Sequence, residues 1–322
     1  RINILDKINK SYDLNNCKYH SADWETANLN KLNSNVDKIP QIYNCLTNKS
    51  ITKQQKKVKN IFYKSGSKKI NNVIVKSLPA GHILGSTQFL IEFNGYKLLV
   101  SGDYKRRFDP TCSLYEPTKC DTFITEATFG LPIFKHPEDK IEVQKLINSL
   151  EENKDSTHLV GVYALGKCQR LISLLRQLGY EKSIYLHGAL MKITEYYAKK
   201  FINLSGLKNV SLFSTKELQN NLILCPPSAL NDKWSQKFIN VIKGYASGWM
   251  QIRQRVKQKN IELPLIISDH ADWDEILLTV KDVQASEVLV THGREEALVY
   301  SLKEKKLKSS ALNLIGFEDE NE

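Results

Sequence analysis

The stretch YKLLVSGDYKRRFDPTCSLYEPTKCDTFITEATFG, from Tyr96 to Gly130, constrains the fold more than any other part of this chain. Two apolar runs, NGYKLLV and DTFIT, each lead to an acid. Asp103 follows the Ser-Gly after the first, and Glu126 follows the second directly. Short apolar runs that break into polar loops read as buried strands, and their carboxyl ends are where α/β folds carry site residues. Upstream, LPAGHILGS sets His82 between glycines just after the strand-like NNVIVKSL. Downstream, IISDHADW and VLVTHGRE close two further apolar runs with His270 and His292. Three histidines and two acids at five strand ends suit a hydrolytic metal centre, because neutral imidazole and carboxylate are ligands for zinc or manganese.

The pattern around these residues predicts an α/β fold. From Asn72 to Thr125, short apolar runs alternate with Gly and Asn turns, which reads as a β-meander. After Gly130, helix and strand signals alternate. PEDKIEVQKLINSLEEN is amphipathic, HLVGVYA is a strand, GKCQRLISLLRQLG a helix, and SIYLHGA, ITEYYAKKF and LILCPPS continue as strand, helix and strand. LPLIISDH with ADWDEILLTVKDV, and EVLVTH with REEALVYSLKEKKLK, repeat the alternation. Such a series predicts a parallel sheet with crossover helices. The expected organisation is a first domain over 1–135, an inserted α/β domain over 136–262, and a return to the first domain over 263–322.

Composition narrows the partners. Lys+Arg 46 against Asp+Glu 35 leaves a formal charge of +11, which favours a polyanion, with nucleic acid the first candidate. No run reaches the roughly 18 apolar residues of a membrane span. The six cysteines are scattered without a CxxC pair, so a reducing compartment is expected. Arg1 stands first instead of Met, which reads as an N-terminus that has been processed or is absent.

The motifs PAGHILGS, SGDYKRRFDPTCSLYEP, CDTFITEATFGLPIF, YALGKCQRL, LHGAL, PPSAL, ASGWMQIR, SDHADW and LVTHG run in order over residues 79–293. In this they resemble the metallo-β-lactamase-fold β-CASP nucleases, and most closely the bacterial ligase-associated DNA 3′-exonucleases. The resemblance implies an αββα sandwich with an inserted β-CASP-like α/β domain, and two metals about 3.5–4 Å apart that activate a water against a phosphodiester. It further implies that His82 binds one metal, Asp103 bridges both and His292 binds the second. Glu126 and His270 would pair as an acid and phosphate contact beside them.

The family's remaining ligands come from an H-x-H-x-D-H string, and no such string occurs in the sequence. The nearest counterpart is the run from Cys17 to Asn28. Aligned on Asp23, it puts Tyr19, Ser21 and Trp24 where histidines belong. The remnant metal set is then Asp23, His82, Asp103 and His292, which predicts no cofactor, or at most one weakly bound zinc or manganese. Phosphate contacts are expected from Lys105, Arg106 and Arg107 at the mouth of the cleft and from Arg253, Arg255 and Lys257 at the end of the insertion.

These readings give a catalytically impaired member of the family, with Glu126 and His270 as vestiges. It would act as a basic RNA-binding or architectural subunit of a larger ribonucleoprotein assembly, with RNA preferred over DNA, other protein subunits as partners and no membrane. A mitochondrial matrix location suits the charge and the first residue. The alternative is a working metal-dependent 3′-exonuclease that hydrolyses DNA or RNA.

Overall fold

A computed structural model describes residues 66–70, 72–200 and 204–312; the run around Asp23 lies outside them. Five strands come first: β1 (Gly66–Ile70), β2 (Val73–Pro79), β3 (Thr87–Phe93), β4 (Tyr96–Val100) and β5 (Thr122–Ala127). Within the 72–125 stretch expected to be a meander, β2, β3 and β4 are antiparallel neighbours, and β1, before it, adds antiparallel to β2. The β3–β4 turn is Asn94-Gly95, both at positive φ (49° and 82°), the backbone that matches strand twist in a two-residue hairpin. β5 then joins β4 in parallel.

The α/β stretch follows as α1 (Asp139–Glu152), β6 (Thr157–Gly161), α2 (Lys167–Gln177), β7 (Ile184–Leu186), α3 (Gly188–Ala198) and β8 (Leu207–Asn209). It continues with α4 (Thr215–Leu218), β9 (Leu222–Cys225), β10 (Val241–Ala246), α5 (Arg253–Gln258) and β11 (Leu263–Leu265). α1 buries Val143, Leu146 and Ile147, spaced to share one face. The chain ends with α6 (Trp273–Val283), β12 (Glu287–Gly293), α7 (Glu295–Glu304) and β13 (Lys308–Ala311). α6 is started by a capping box in which the Asp272 carboxylate accepts from Glu275 N–H and Glu275 accepts from Asp272 N–H, both at 3.0 Å.

Two sheets result among the described residues. The first has the order β1-β2-β3-β4-β5-β12-β13, and the second β11-β10-β6-β9-β7-β8. Every pairing in the second is parallel, as the strand–helix alternation predicts. β11 pairs with β10, so the second sheet runs to Leu265, past the expected boundary at 262. The three-residue LPL run is too short to stand alone and takes the exposed edge of β10.

Strand alternation divides the apolar residues of the first sheet between its faces. Leu90, Leu99, Phe123, Val288 and Val290 pack with Ile276, Val280, Leu298 and Leu302 of α6 and α7. Phe89, Ile91, Leu98, Ile124 and Leu289 gather on the opposite face. In the second sheet Val160, Leu222 and Leu224 face the core of α1, α2 and α3, while Leu159, Ile223 and Cys225 face the other side. A sheet buried on both faces accounts for the near-continuous apolar run of β9.

Candidate metal centre

Strand direction brings the expected residues together. β2 and β4 are each antiparallel to β3, and β5 and β12 are parallel partners that continue the direction of β4. The carboxyl ends of β2, β4, β5 and β12 therefore share one edge. His82 follows β2 and Asp103 follows β4 there, Glu126 closes β5, and His292 closes β12. His270 reaches the same edge from the loop before α6. Gly81, beside His82, has φ 73°, and a Cβ there would stand 2.1 Å from the Lys105 carbonyl, so the turn that delivers His82 needs glycine.

His82, Asp103 and His270 present ligand atoms that all lie within 4.8 Å of one another. His82 Nε2 is 3.9 Å from Asp103 Oδ2, and the two imidazole rings are 4.7 Å apart between centroids. His82 Nδ1 lies 2.8 Å from the Asp269 carbonyl, which can only accept, so Nδ1 carries a proton and Nε2 is the nitrogen turned towards Asp103. Asp103 Oδ1 is buried with no hydrogen-bond partner. Burial, with the Glu126 charge, pushes the Asp103 pKa up against the opposing pull of His270, His82 and His292. A carboxylate with one buried oxygen lacking a donor and the other facing an imidazole nitrogen is a donor set that fits a divalent cation.

Glu126 is a different kind of acid. Its carboxylate accepts from Tyr104 N–H at 2.9 Å and from the Thr128 hydroxyl, and it meets His270 Nδ1 at 2.9 Å. Burial alone would raise its pKa, but His270 and these hydrogen bonds outweigh burial and hold it below the usual range. The His270 imidazolium is disfavoured by burial, yet Glu126, Asp269 and Asp103 overcome that and push its pKa up to about 9. His292 is exposed and stands outside the group of three. It is the extra residue of a bulge: Thr291 pairs with Glu126 and Gly293 with Ala127, and His292 between them has φ 57°. Bulges next to sites re-aim a side chain in this way.

The basic residues after Asp103 do not line a cleft mouth. Lys105 is buried, with its ammonium on Asp139 at 3.2 Å and on the Ser268 carbonyl. Arg106 pairs with Asp282 at 2.6 Å. Arg107 is held by Asp272 and by the carbonyls of His136 and Pro137. Internal acids and carbonyls occupy these cations, a correction to the expected phosphate contacts. Arg253, Arg255 and Lys257 are exposed on α5, and the Arg255 guanidinium lies 4.0 Å over the Trp249 ring. Trp249 packs on Phe129 at 4.8 Å, and Phe129 lies 6.1 Å from His270, so this basic helix is tied to the site by an aromatic chain.

Thr128 and Asp269 both brace the site, and neither stands out in the sequence; Thr128 sits in a plain ATFG turn, and Asp269 is one acid among several.

His136 illustrates a structural histidine. It packs edge-on against Phe129 at 4.5 Å, and burial pushes its pKa down to about 4. The unfolded chain therefore binds this proton preferentially as the pH falls from 6.5, and stability is lost down to pH 4, by roughly 3 kcal/mol. Urea unfolding at pH 4.5 and 7 should show this rise, and His136→Gln should flatten it.

Among the described residues no helix is long and apolar enough to cross a membrane. The protein is a mixed α/β fold with parallel and antiparallel sheets, and partly buried His82, Asp103 and His270 gather where a metal ion could be held. No protein-family profile matches the chain. It is 25% identical to a probable DNA ligase of Opitutus terrae over 73% of its length, covering 23% of that protein. It is 24% identical to the endoribonuclease YSH1 of Candida glabrata over 86% of its length, covering 43% of that protein. With the cleavage and polyadenylation specificity factor 73 of Drosophila melanogaster it shares 30% over 51% of its length, covering 23%. The chain thus spans less than half of each of these relatives. A crystal structure of a protein of unknown function from Enterococcus faecalis V583 shares the fold, at TM-score 0.51 and 11% identity, over 76% of this chain and 63% of that one. These relatives, a probable DNA ligase and RNA-processing nucleases, are consistent with the resemblance to the metallo-β-lactamase-fold β-CASP nucleases.

The expectation of no cofactor is corrected. It rested on the missing H-x-H-x-D-H string, but His82 Nε2 and Asp103 Oδ2 face one another at 3.9 Å and two of the relatives are named endoribonuclease and cleavage factor.

Proposed function

We propose that the chain is a metal-dependent phosphodiesterase acting on nucleic acid, built as an αββα sandwich with an inserted β-CASP-like domain. The observation that carries this reading is the Asp103 carboxylate, whose Oδ2 lies 3.9 Å from His82 Nε2 while its Oδ1 is buried and unpartnered. His82 and Asp103 would hold the cation, with His292 and Asp23 as the further candidates. When bound, the cation supplies Lewis-acid stabilisation of a phosphoryl oxygen and a readily deprotonated water.

The chain's own residues do the rest. Glu126, itself held by Tyr104 N–H and the Thr128 hydroxyl, fixes the His270 ring through Nδ1 and favours its protonated form. His270 Nε2–H then faces the site as a donor to a phosphate oxygen or to the departing oxygen. Arg253, Arg255 and Lys257 neutralise backbone phosphates on the way in. RNA is the first substrate to try, because the endoribonuclease match covers 86% of the chain.

Single-stranded RNA and DNA oligonucleotides labelled at the 5′ end should be shortened in zinc or manganese and left intact in excess chelator. A folded sample that cuts neither with any divalent ion overturns the reading. Removing Arg253 and Arg255 together should weaken binding and lower the salt dependence by about 0.7 log units per log salt for each phosphate no longer neutralised.

One observation favours a second reading. The sequence has no H-x-H-x-D-H string and puts Trp24 in that row, which suits a catalytically impaired RNA-binding subunit of a larger ribonucleoprotein, with a mitochondrial location as part of that proposal. Salt-sensitive RNA binding without hydrolysis is its expected signature.

A further inference from the structure

The motif YALGKCQRL takes no part in the chemistry described above. It leads from β6 into α2, where Lys167 and Arg170, three residues apart, share one helix face. They are 4% and 0% exposed. Cations that deep need partners, and each has them. Arg170 Nε donates to Asp109 Oδ2 at 2.6 Å, and Nη1 donates to the Ser268 carbonyl. Lys105 bonds Asp139 and that same carbonyl. Lys167 Nζ meets Asp269 Oδ1 at 2.9 Å.

Three cations thus face three carboxylates. Asp139, Lys167 and Arg170 come from α1 and α2 and leave one positive charge in excess. Lys105, Asp109 and Asp269 come from loops outside that helical layer and leave one negative. Only together are the two groups neutral.

All of this converges on Ser268, Asp269 and His270. The Ser268 carbonyl takes two cations, its hydroxyl oxygen accepts the His270 N–H at 3.0 Å, and the Asp269 side chain takes Lys167. The Asp269 carbonyl in turn accepts His82 Nδ1–H at 2.8 Å, which aims Nε2 at Asp103. Ligating histidines are commonly oriented through their other ring nitrogen in this way.

We propose that Lys167 is a positioning residue for His82: by gripping the Asp269 side chain it holds the Asp269 carbonyl where it fixes the His82 tautomer and ring. The inserted segment thereby shapes the site without touching substrate. The link to metal binding rests on the function proposed above, whereas the link from Lys167 to the His82 tautomer does not.

The test uses the whole chain, with Lys167→Met, which keeps the stem over Tyr163 (Nζ lies 4.8 Å from that ring) and removes the charge, and Lys167→Arg, which restores it. In metal-free protein, long-range proton–nitrogen spectra read the His82 tautomer. The native chain should show Nδ1–H alone, K167M a mixture, and K167R the native form. Zinc affinity, by competition with a chromophoric chelator, should fall about 10–100-fold in K167M and recover in K167R. A native tautomer and native zinc affinity in K167M overturn the proposal. If K167M does not fold, K167M/D269N removes both charges together, and a native His82 tautomer in that variant overturns it equally. A native chain with the Nδ1–H tautomer that binds no zinc refutes the metal reading and leaves the positioning role standing.

Discussion

Asp103→Asn should abolish retention of zinc or manganese and lower phosphodiester hydrolysis by more than the roughly 100-fold that removal of an outer partner causes. Asn keeps the shape and removes the charge that faces His82 across 3.9 Å. The same change should not harm the metal-free fold. Burial raises the Asp103 pKa, so the ionised carboxylate is a strained guest without a cation, and Asn in its place should leave thermal stability equal or higher. Native protein should melt at higher temperature when zinc is added, and D103N should not. Elemental analysis, melting with and without zinc, and an oligonucleotide assay check the three parts. A D103N chain that melts lower yet still hydrolyses RNA would remove Asp103 from the site.

Arg170→Met should destabilise the fold by about 3–5 kcal/mol, because it leaves buried carboxylates without their cation. That is a large part of the roughly 5–15 kcal/mol by which a domain is stable. Arg170 is fully buried, and it reaches Asp109 and the Ser268 carbonyl with one planar fork. Lys cannot reach both partners from one point, so Arg170→Lys should also lose stability. The acid side carries a second signature. Burial raises the Asp139 pKa, but Lys105 and Arg170 outweigh burial and hold it below the usual range. A depressed carboxylate contributes fully above its unfolded value of about 3.9, and the contribution is lost as the pH falls below that. R170M should therefore lose less stability than the native chain on acidification through this range. Urea unfolding between pH 3 and 7 reads both effects.

Much of the fold is legible in local pattern. The Asn-Gly hairpin, the amphipathic 139–152 helix and the D-x-x-E start of α6 are set by turn chemistry and helix spacing, which act within a few residues. β11 falls to the second sheet although the alternation assigns it to the returning domain, because nothing within LPLIISDH says which sheet edge is open. His82, Asp103, Glu126, His270 and His292 are legible as a group because each interrupts an apolar run. The phosphate-binding role expected of Lys105, Arg106 and Arg107 shows the limit. A basic run reads as a surface, and only the tertiary fold sets Asp139, Asp282 and Asp272 against it.

The sequence by itself determined the element types, the strand-end placement of the chemistry-bearing residues and the resemblance to a nuclease family, since each depends on residue order alone. The tertiary structure decided which acids have partners. Glu126 and Asp103 look alike in sequence, yet one is wrapped by Tyr104, Thr128 and His270 and the other is left with a bare oxygen. The tertiary structure also turned YALGKCQRL from a helix start into the charged clamp behind His82. Ionisation and metal affinity depend on burial and on charges within a few ångströms, and those neighbours come from segments up to some 190 residues apart, as in the hydrogen bond from His82 to Asp269.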